Sequence, residues 1–454
     1  MAYGQPEQSG AGALFTDLYE LTMLQAYEAE GMMAPAVFEL FFRQMPADRT
    51  YVMAAGLNDV LDYVEGLRFT DDELSWLQRQ PLSETFLQSL RNFRFTGDIY
   101  AVPEGTVVFE NEPILQVIAP LPQAQLIETY VLNQIHLQSV MATKAARVVT
   151  AAQGRHVVDF GSRRSHGVDA ALKVARVSYL AGAVGTSNVA AARYYDIPVF
   201  GTMAHSYIQA HDDEMSAFRA FARVFPETTL LVDTYDTLSG VNKVIDLARD
   251  LGPDFRVQAI RLDSGDLAEL SKAARARLDQ AGLEGVKIFA SNSLDEHAIT
   301  ALLEAGAPID GFGVGTKLAV SADSPEIDLS YKLVEYNGQP RMKLSSSKVI
   351  LPGRKQVFRI SRDGHMVCDV IAQHDEHGEG EALLRHVMQG GHRLDNGRVS
   401  LANMRQYARA QLESLPQDLK QLGRDEVSYP VEVSDTLQAA RAQLQHQLEG
   451  QIVL

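Results

Sequence analysis

The chain has little that would favour secretion or membrane insertion. Its 454 residues include a single cysteine, Cys368, so no disulfide can form within the chain, which suits a reducing compartment. No apolar run approaches the roughly 18 residues that a membrane-spanning helix needs. Residues 1–12 are polar and glycine-containing, without the basic and apolar segments of a signal peptide, and we expect a disordered tail there. These absences predict a soluble, cytoplasmic protein.

Positive charge is also scarce. The chain has 41 Lys and Arg against 58 Asp and Glu, a formal net charge of -17. An acidic surface repels nucleic acids and anionic membranes, so neither is an expected partner. If the substrate is an anion, the cationic residues that bind it must be concentrated locally. With 46% hydrophobic residues, the chain can bury a large core, and its length suggests about two or three domains.

The periodicity of apolar residues divides the chain into three regions. Residues 13–135 mix a helix at 14–27 with strands and predict an α/β N-terminal domain. Residues 136–336 repeat short β-rich runs separated by helical patterns, which predicts βαβ units and a parallel sheet. The predicted strands are 156–161, 198–204, 229–233, 257–262, 286–291 and 310–315. Six such units suggest an irregular, incomplete β/α barrel, and residues 337–454 supply C-terminal segments that pack on both domains.

Helix-end signals are clearest for the predicted helix at 295–305. Ser293 and Glu296 have the spacing of a capping box, and Gly306 is placed to terminate the helix.

Polar side chains cluster where the predicted strands of the barrel end. Side chains at the carboxyl ends of barrel strands converge on the active site. Polar residues after a single strand are ordinary in a turn, but polar residues after every one of these strands are hard to explain by turns alone. The polar endings are 159–164, 201–206, 233–236, 261–266, 291–293 and 311–317.

The last of these endings resembles a phosphate-binding loop. Gly311, Gly313 and Gly315 would let the backbone approach a ligand and point amides at it. Thr316 adds a hydroxyl and Lys317 a cation. The spacing differs from a Walker A motif, and tight strand-to-helix turns also use glycine.

Pairs of carboxylates follow two of the strands. Asp263 and Asp266 lie three residues apart, and Asp233 and Asp236 repeat the spacing. Such carboxylates accept hydrogen bonds from a vicinal diol or hold Mg²⁺ through water, whereas helix N-capping is an equally good explanation for any one of them. Arg261, beside them, could hold a carboxylate in a bidentate fork.

His205 stands out among the twelve histidines because it follows a predicted strand of the barrel. An imidazole at this position could act as a base, a phosphate binder or a phosphoryl acceptor.

Taken together, these sequence motifs resemble those of the nicotinate phosphoribosyltransferase family. The resemblance extends from residue 13 to residue 441 and rests on motifs in a fixed order, TDLYELTM, DFGSRR, GTMAHS, DTYDT, RLDSGDL and GVGTKL. It implies an α/β N-terminal domain built partly from later chain segments, and an irregular barrel of the type II phosphoribosyltransferase kind. It also implies a homodimer whose active sites are shared between subunits.

The resemblance assigns roles to individual residues. Tyr19, reaching across the dimer, and Phe160 would stack on the two faces of the pyridine ring. Arg261 would meet the nicotinate carboxylate, with Thr202 in the same pocket, and Arg163 would contact phosphate or ribose. The 5'-phosphate of phosphoribosyl pyrophosphate would be held by Gly313, Gly315 and Thr316. Asp263 with Asp236 would address the ribose or the Mg²⁺-pyrophosphate, and which acid binds Mg²⁺ stays open among Asp233, Asp236 and Asp263. Ser264, Gly265 and Lys317 complete the expected substrate-binding set.

The resemblance further implies coupling to ATP. His205 matches the family histidine that ATP phosphorylates, and the stored free energy would drive formation of nicotinate mononucleotide for NAD biosynthesis. Ser187 bears on substrate choice, because nicotinamide-using relatives carry an aspartate at this place. A serine can donate to the nicotinate carboxylate, whereas an aspartate would repel it.

Other functions remain as alternatives. Nicotinamide phosphoribosyltransferase is the nearest one, and Ser187 argues against it. Quinolinate phosphoribosyltransferase should need more cations and has a shorter chain. A catalytically silent nucleotide-binding barrel would be expected to lack His205, Arg261 or Asp263. A metal-dependent hydrolase would need a His-x-His pair at an early strand end, which is missing.

Overall fold

The protein is described by a computed structural model that covers residues 12–344, 350–422 and 427–452. The tail predicted at 1–12 therefore lies outside the described residues, except for Gly12. The chain divides into two compact units, one formed by Met1–Thr143 with Ser324–Leu454 and the other by Lys144–Asp323.

The strands, numbered in chain order, alternate with helices through most of the chain. They are β1 Pro35–Phe42, β2 Val52–Met53, β3 Asp98–Ala101, β4 Val107–Val108, β5 Leu115–Pro120, β6 His156–Asp159, β7 Gly185–Thr186, β8 Thr229–Leu231, β9 Ala259–Leu262, β10 Lys287–Ala290, β11 Gly311–Val314, β12 Leu329–Tyr336, β13 Gln339–Pro340, β14 Lys355–Arg362, β15 His365–Gln373, β16 Glu381–Ala382, β17 Arg385–Gln389, β18 His392–Arg393 and β19 Val431–Val433.

The α-helices range from a single turn to 24 residues. They are α1 Leu18–Glu30, α2 Leu57–Gly66, α3 Asp71–Leu77, α4 Glu84–Arg91, α5 Leu121–Leu126, α6 Glu128–Ala151, α7 Val168–Leu180, α8 Val189–Tyr195, α9 His205–Gln209, α10 Glu214–Val224, α11 Thr237–Leu251, α12 Leu267–Gln280, α13 Glu296–Glu304, α14 Thr316–Ala319, α15 Leu401–Ser414, α16 Gln417–Lys420 and α17 Asp435–Ile452. Within the described residues, no helix is both long enough and apolar enough to cross a membrane.

The first unit is built around a seven-stranded sheet with the order β13-β12-β1-β5-β3-β17-β18. Its interior strand β1 pairs antiparallel with both β5 and β12 and is buried from its second residue onward. Burial on both faces explains why β1 reads as a continuous apolar run without alternation. The one charged residue in β1, Glu39, is paired with the buried Lys355 at 3.2 Å. Since β12, β13, β17 and β18 come from late in the chain, the predicted completion of the N-terminal domain by later segments is confirmed.

The domain boundaries differ from those expected from the sequence. The expected boundary at 135/136 falls inside the continuous helix α6, and the division lies at 143/144 instead. The expected barrel end at 336 included β12, which instead pairs with β1 in the first unit. The second division therefore falls at 323/324.

The second unit contains a six-stranded parallel sheet with the order β7-β6-β11-β10-β9-β8. Its strands are short and mostly buried, as expected for a parallel sheet covered by helices on its faces. The predicted α/β fold is confirmed. The sheet does not close into a barrel, since within the described residues its edge strands β7 and β8 are not paired to each other.

Two local predictions in this unit are wrong. Residues 198–204 do not form a strand; residues 198–201 are exposed, and the segment makes a single bridge, between Val199 and Thr186 of β7. Helix α13 is capped by Asp295, whose carboxylate accepts the Ala298 N–H at 2.8 Å, and not by Ser293. Gly306 does follow the end of this helix with a left-handed φ of 72°.

Candidate active site

Three neighbouring strands of the parallel sheet end in polar side chains that contact one another. Asp233 follows β8, Asp263 follows β9 and Ser291 follows β10. The Asp233 carboxylate accepts the Asp263 N–H at 2.8 Å and the Ser264 hydroxyl at 2.6 Å. The Ser291 hydroxyl donates to Oδ1 of Asp263 at 2.5 Å. Because the carboxyl ends of parallel strands meet at one edge of a sheet, the sequence pattern brings these groups together.

His205 joins this cluster from the first turn of α9. Its Nδ1 lies 3.1 Å from Oγ1 of Thr234. Its Nε2 lies 3.6 Å from Oδ2 of Asp263 and 4.0 Å from Oδ1 of Asp233. The His205 side chain is 37% exposed, so a ligand can reach the ring. When Nδ1 donates its proton to Thr234, Nε2 carries the free lone pair on the side of the two carboxylates.

Oδ1 of Asp233 is buried and has no hydrogen-bond partner among the described residues. A buried acceptor without a partner is costly, so a bound group or water is expected beside it. Carboxylate oxygens are the ligands that Mg²⁺ prefers, and Mg²⁺ usually keeps water and substrate oxygens in its coordination shell. In the described part of the chain no group of three or more His, Cys, Asp or Glu side chains is arranged to hold a metal. Asp233 and Asp263 therefore fit a Mg²⁺ ion only if substrate or water completes its shell.

Asp236 has a different environment from these two acids. Its exposed side chain accepts the Ser239 N–H at 2.7 Å and caps the N-terminus of α11. Asp266 caps α12 in the same way, through the Ala268 and Glu269 N–H groups. Both Asp236 and Asp266 therefore have the contacts of helix N-caps, which was the alternative to a role in ligand binding.

Arg261, on β9, points its guanidinium group at the same cluster. Nη1 donates to the Thr202 hydroxyl at 2.8 Å and to the Met203 carbonyl at 3.3 Å, and Nη2 lies 3.7 Å from Asp263. Nε is buried and has no hydrogen-bond partner among the described residues. Burial lowers the pKa of Arg261, although Asp263 and Asp233 oppose this shift. The Arg261 guanidinium is thus a cation held in place, and it retains N–H groups that could donate hydrogen bonds to an anionic ligand.

The glycines of β11 make room for aromatic rings. A Cβ on Gly313 would lie 2.5 Å from the ring of Phe160, and one on Gly311 would lie 2.9 Å from the ring of Phe289. The two rings are 6.0 Å apart between centroids. Gly313 therefore has a packing role that the sequence did not reveal, while its contact with phosphate stays a prediction.

The segment after β11 lies beside the segment after β6. A Cβ on Gly161 would lie 2.5 Å from Ala319 of α14, so the two loops pack closely. Gly315 precedes α14 and Thr316 begins it. Lys317 forms a 2.6 Å ion pair with Asp295 and is 41% exposed. The Lys317 ammonium already has one carboxylate partner, which limits its freedom to bind phosphate.

A cavity of about 280 Å³ lies in this unit, and Phe160 and Thr202 both line it. Its other walls combine apolar side chains such as Val158, Phe200 and Phe289 with polar ones at or next to the amino ends of the strands, namely His156, Thr229, Gln258, Lys287 and Asp310. The aromatic rings in its wall suit a flat aromatic ligand. Arg163 sits in the exposed 3-10 turn at Ser162–Arg164.

Ser187 immediately follows the edge strand β7 and is partly buried. Its N–H donates to the backbone carbonyl of Asp159 at 2.8 Å. Ser264 and Gly265 lie in the exposed turn between β9 and α12, where Gly265 has a left-handed φ of 78°.

Tyr19 belongs to the first unit, on α1, and is 47% exposed. Burial, followed by the neighbouring Glu128 carboxylate, raises the pKa of its phenol. Phe15 and Leu18 beside it in sequence are also exposed, at 39% and 50%. This end of α1 thus presents apolar side chains at the surface of its unit.

Sequence reasoning missed two residues that hold the cluster together, Thr234 and Ser291. Ser291 directly follows β10 and Thr234 lies three residues after β8, and both belong to the polar strand endings, so their position was an available signal. Further along the same ending, Asn292 and Ser293 adopt left-handed φ values of 90° and 51°. Consecutive non-glycine residues in this region are rare and tend to occur at functional sites.

A parallel sheet with polar groups at its carboxyl edge is typical of α/β enzymes whose active sites lie at the ends of the strands. Comparison with known proteins places this chain among the phosphoribosyltransferases. Residues 14–136 match the family model described as the nicotinate phosphoribosyltransferase N-terminal domain. Residues 155–365 match the model of the nicotinate phosphoribosyltransferase family. The chain belongs to the nicotinate phosphoribosyltransferase family, as its motifs predicted.

Individual relatives support this membership over nearly the whole chain. A nicotinate phosphoribosyltransferase of Mycobacterium tuberculosis (strain H37Rv) is 59% identical, covering 96% of this chain and 94% of its own length. That of Bacillus subtilis (strain 168) is 40% identical, covering 97% and 96%. The crystal structure of human nicotinic acid phosphoribosyltransferase superposes with a TM-score of 0.81 at 30% identity, covering 94% of this chain and 99% of that one. A nicotinate-nucleotide pyrophosphorylase from Pyrococcus furiosus superposes with a TM-score of 0.72 at 25% identity, covering 88% and 95%.

Proposed function

We propose that this protein is an ATP-coupled nicotinate phosphoribosyltransferase of NAD biosynthesis. It would convert nicotinate, phosphoribosyl pyrophosphate, ATP and water to nicotinate mononucleotide, pyrophosphate, ADP and phosphate. The observation that carries the proposal is the single cluster in which Arg261, with Thr202, lies beside Asp263, Asp233 and His205. This cluster combines a cation for a carboxylate substrate, acids for a sugar or a magnesium ion, and an accessible imidazole.

Nicotinate recognition rests on Arg261 in this proposal. Its buried Nε and the remaining Nη hydrogens offer a fork to the nicotinate carboxylate, and the contact with Thr202 holds the fork in place. Phe160 supplies an aromatic face for the pyridine ring from the wall of the cavity that Thr202 also lines.

The transfer step itself needs little covalent help from the protein. The C1' carbon of the ribose develops positive charge as pyrophosphate leaves, and the pyridine nitrogen attacks from a held position. That nitrogen carries no proton when it attacks, so no general base is required. The Asp263 carboxylate, held by Ser291, is positioned to accept hydrogen bonds from ribose hydroxyls. Thr316, Gly315, Gly313, Arg163 and Lys317 are proposed to hold the phosphate groups.

A magnesium ion would stabilise the negative charge of the leaving pyrophosphate. Asp233 and Asp263 are the proposed protein ligands, since Oδ1 of Asp233 lacks a hydrogen-bond partner within the described residues. Asp236 is a weaker candidate because its carboxylate caps α11.

ATP coupling is proposed to run through His205. Nε2 attacks the γ-phosphorus of ATP, the bond from that phosphorus to the bridging oxygen breaks, and ADP leaves with the electron pair. In this step Nδ1 carries the proton and donates it to the Thr234 hydroxyl, so the lone pair lies on Nε2. Water later attacks the phosphohistidine and releases phosphate, so binding and product release can be tied to ATP.

The proposed assembly is a homodimer with shared active sites, in which Tyr19 of one subunit stacks on the substrate bound by its partner. The exposed apolar end of α1, with Phe15 and Leu18 beside Tyr19, supports a surface that is covered on assembly.

The test is product formation from nicotinate or nicotinamide with phosphoribosyl pyrophosphate and Mg²⁺, with and without ATP. The intact protein is compared with His205→Ala, and with His211→Ala as a matched control, since His211 bonds the Tyr207 carbonyl within its own helix region. We expect nicotinate mononucleotide from nicotinate only, stimulated by ATP in the intact protein and the control but not in His205→Ala. Product from nicotinamide would overturn the role given to Ser187. Stimulation surviving in His205→Ala would remove that residue from the coupling, and no product from either base would refute the activity.

A further inference from the structure

Asp159 is the last residue of β6 and is fully buried. Its Oδ1 accepts the N–H of Gly161 at 2.8 Å, and its Oδ2 accepts the hydroxyl of Thr186 at 2.7 Å. Its backbone carbonyl accepts the N–H of Ser187 at 2.8 Å. One residue thus contacts both the segment that begins with Phe160 and the segment that carries Ser187.

Thr186 extends this connection to a third segment. Its hydroxyl, which donates to Asp159, also accepts the Asn188 N–H at 3.0 Å. Its backbone N–H donates to the Pro198 carbonyl at 3.1 Å, and its carbonyl accepts the Phe200 N–H at 2.9 Å. The Thr186 backbone therefore holds the stretch that leads directly to Gly201 and Thr202.

The strand that bears Thr186 is only two residues long and forms an edge of the sheet. Its register with β6 consists of two residue pairs, Val158 with Gly185 and Asp159 with Thr186. So short a ladder has few backbone hydrogen bonds to define its position, and a slip of one residue would turn every side chain to the other face. The buried Thr186–Asp159 contact supplies a fixed point that the ladder lacks.

We propose that Asp159 and Thr186 are a pair of positioning residues that set selection of the pyridine substrate. They do so by holding the Phe160, Ser187 and Thr202 segments in one arrangement. Neither side chain is free to touch a ligand, because both are fully buried and bonded to each other. The pair acts through the residues that follow it, and this inference rests on the proposed use of nicotinate.

The pair predicts a specific kinetic signature. Loss of the Thr186 hydroxyl leaves a buried carboxylate oxygen and the Asn188 N–H without their partner, which displaces β7 and Ser187. The contacts with the 5'-phosphate are proposed to come from β11 and α14, to which β7 is not paired, and Arg163 is the one proposed phosphate-binding residue on the segment that follows Asp159. Nicotinate binding should therefore weaken much more than phosphoribosyl pyrophosphate binding.

The experiment compares Thr186→Val, which keeps shape but removes the hydroxyl, with Thr186→Ser, which keeps the hydroxyl. For Thr186→Val we expect KM for nicotinate to rise about tenfold, because small displacements of positioning segments misalign the substrate. KM for phosphoribosyl pyrophosphate should change much less, and the preference of kcat/KM for nicotinate over nicotinamide should fall. Thr186→Ser should behave as the intact protein. Thr300→Val is the matched control, because the Thr300 hydroxyl donates to the Glu296 carbonyl of its own helix.

Asp159→Asn provides a second variant if Thr186→Val does not fold, since an amide keeps the volume and one of the two accepted hydrogen bonds. It should raise KM for nicotinate in the same direction. A folded Thr186→Val or Asp159→Asn with unchanged nicotinate KM and unchanged preference would overturn the inference, as would equal changes in both substrates. Calorimetric titration of each variant with nicotinate distinguishes failure of this inference from failure of the proposed activity. An intact protein that binds nicotinate without turnover would refute the activity, and the affinities of the variants would still decide the role of the pair.

Discussion

The Nδ1 atom of His205 lies 3.1 Å from the Thr234 hydroxyl, and this contact turns Nε2 toward the carboxylates of Asp263 and Asp233. The two ring nitrogens therefore have different environments. One is bound to a neutral hydroxyl, and the other faces two acids across 3.6 and 4.0 Å. The contact orients the ring, and in the tautomer in which Nδ1 donates to Thr234 the lone pair lies on Nε2, as a nucleophilic imidazole needs.

Replacing Thr234 with valine should weaken ATP coupling without removing it. The variant loses one neutral hydrogen bond to Nδ1, which contributes about 1 kcal/mol, or roughly a fivefold effect. We expect the ATP stimulation of product formation, and the yield of acid-labile phosphoprotein from labelled ATP, to fall by about this factor. Thr234→Ser should retain both. Full stimulation in Thr234→Val would mean that this contact does not orient the histidine.

Arg261→Lys should impair nicotinate binding far more than its unchanged charge suggests. Lysine cannot form the fork, and it also loses the Thr202 contact that positions the group. We expect KM for nicotinate to rise by about 10- to 100-fold, on the order of 1.5–3 kcal/mol for a hydrogen bond to a charged group. Arg249→Lys, in an exposed pair with Asp246, should leave the kinetics unchanged. A KM for nicotinate that stays near that of the intact protein would place the substrate carboxylate elsewhere.

The sequence predicted the strands of the parallel sheet well where burial dominates. The strands at 229–233, 257–262, 286–291 and 310–315 were predicted to within two residues, because both of their faces are covered and the chain must be apolar there. The predicted strand at 198–204 is absent because its residues 198–201 are exposed and pair only once. The two-residue strand β7 carries too little pattern for any periodicity to reveal it.

The strand-end pattern also located the polar cluster, but it could not assign a partner to each side chain. His205, Asp233, Arg261 and Asp263 were expected at one edge of the sheet, and the structure brings them into contact. Asp236 shares the spacing yet caps a helix. Which acid faces the cluster depends on local hydrogen bonds that the spacing does not reveal: Asp233 accepts from Asp263 and Ser264, whereas Asp236 accepts from the Ser239 N–H.

Gly313→Ala should disturb both stability and substrate binding. The added Cβ would lie 2.5 Å from the ring of Phe160, so the ring or the strand must shift. Overpacking of this kind costs about 1–3 kcal/mol, which should appear as a lower midpoint in urea unfolding. KM for nicotinate should rise because Phe160 leaves its place in the wall of the cavity. Gly285→Ala, where a Cβ would meet nothing within 4 Å, should change neither quantity. A stable Gly313→Ala enzyme with normal kinetics would show that Phe160 has room to move.

Glu20, next to Tyr19 on α1, should make stability depend on pH. Its burial raises the pKa to about 7 from 4.5, against the hydrogen bonds from Thr16 and Thr129 that favour the ionised form. The folded state therefore binds more protons than the unfolded state between these values, and this contribution to stability, full below 4.5, is lost as the pH rises through about 7. Glu20→Gln is neutral throughout, so its free energy of unfolding relative to the intact protein should be higher at about pH 8 than at about pH 5. The exposed Glu227→Gln should show a constant difference across this range in urea unfolding. If Glu20→Gln also shows a constant difference, burial has not shifted this carboxyl, and the pH dependence must come from other groups.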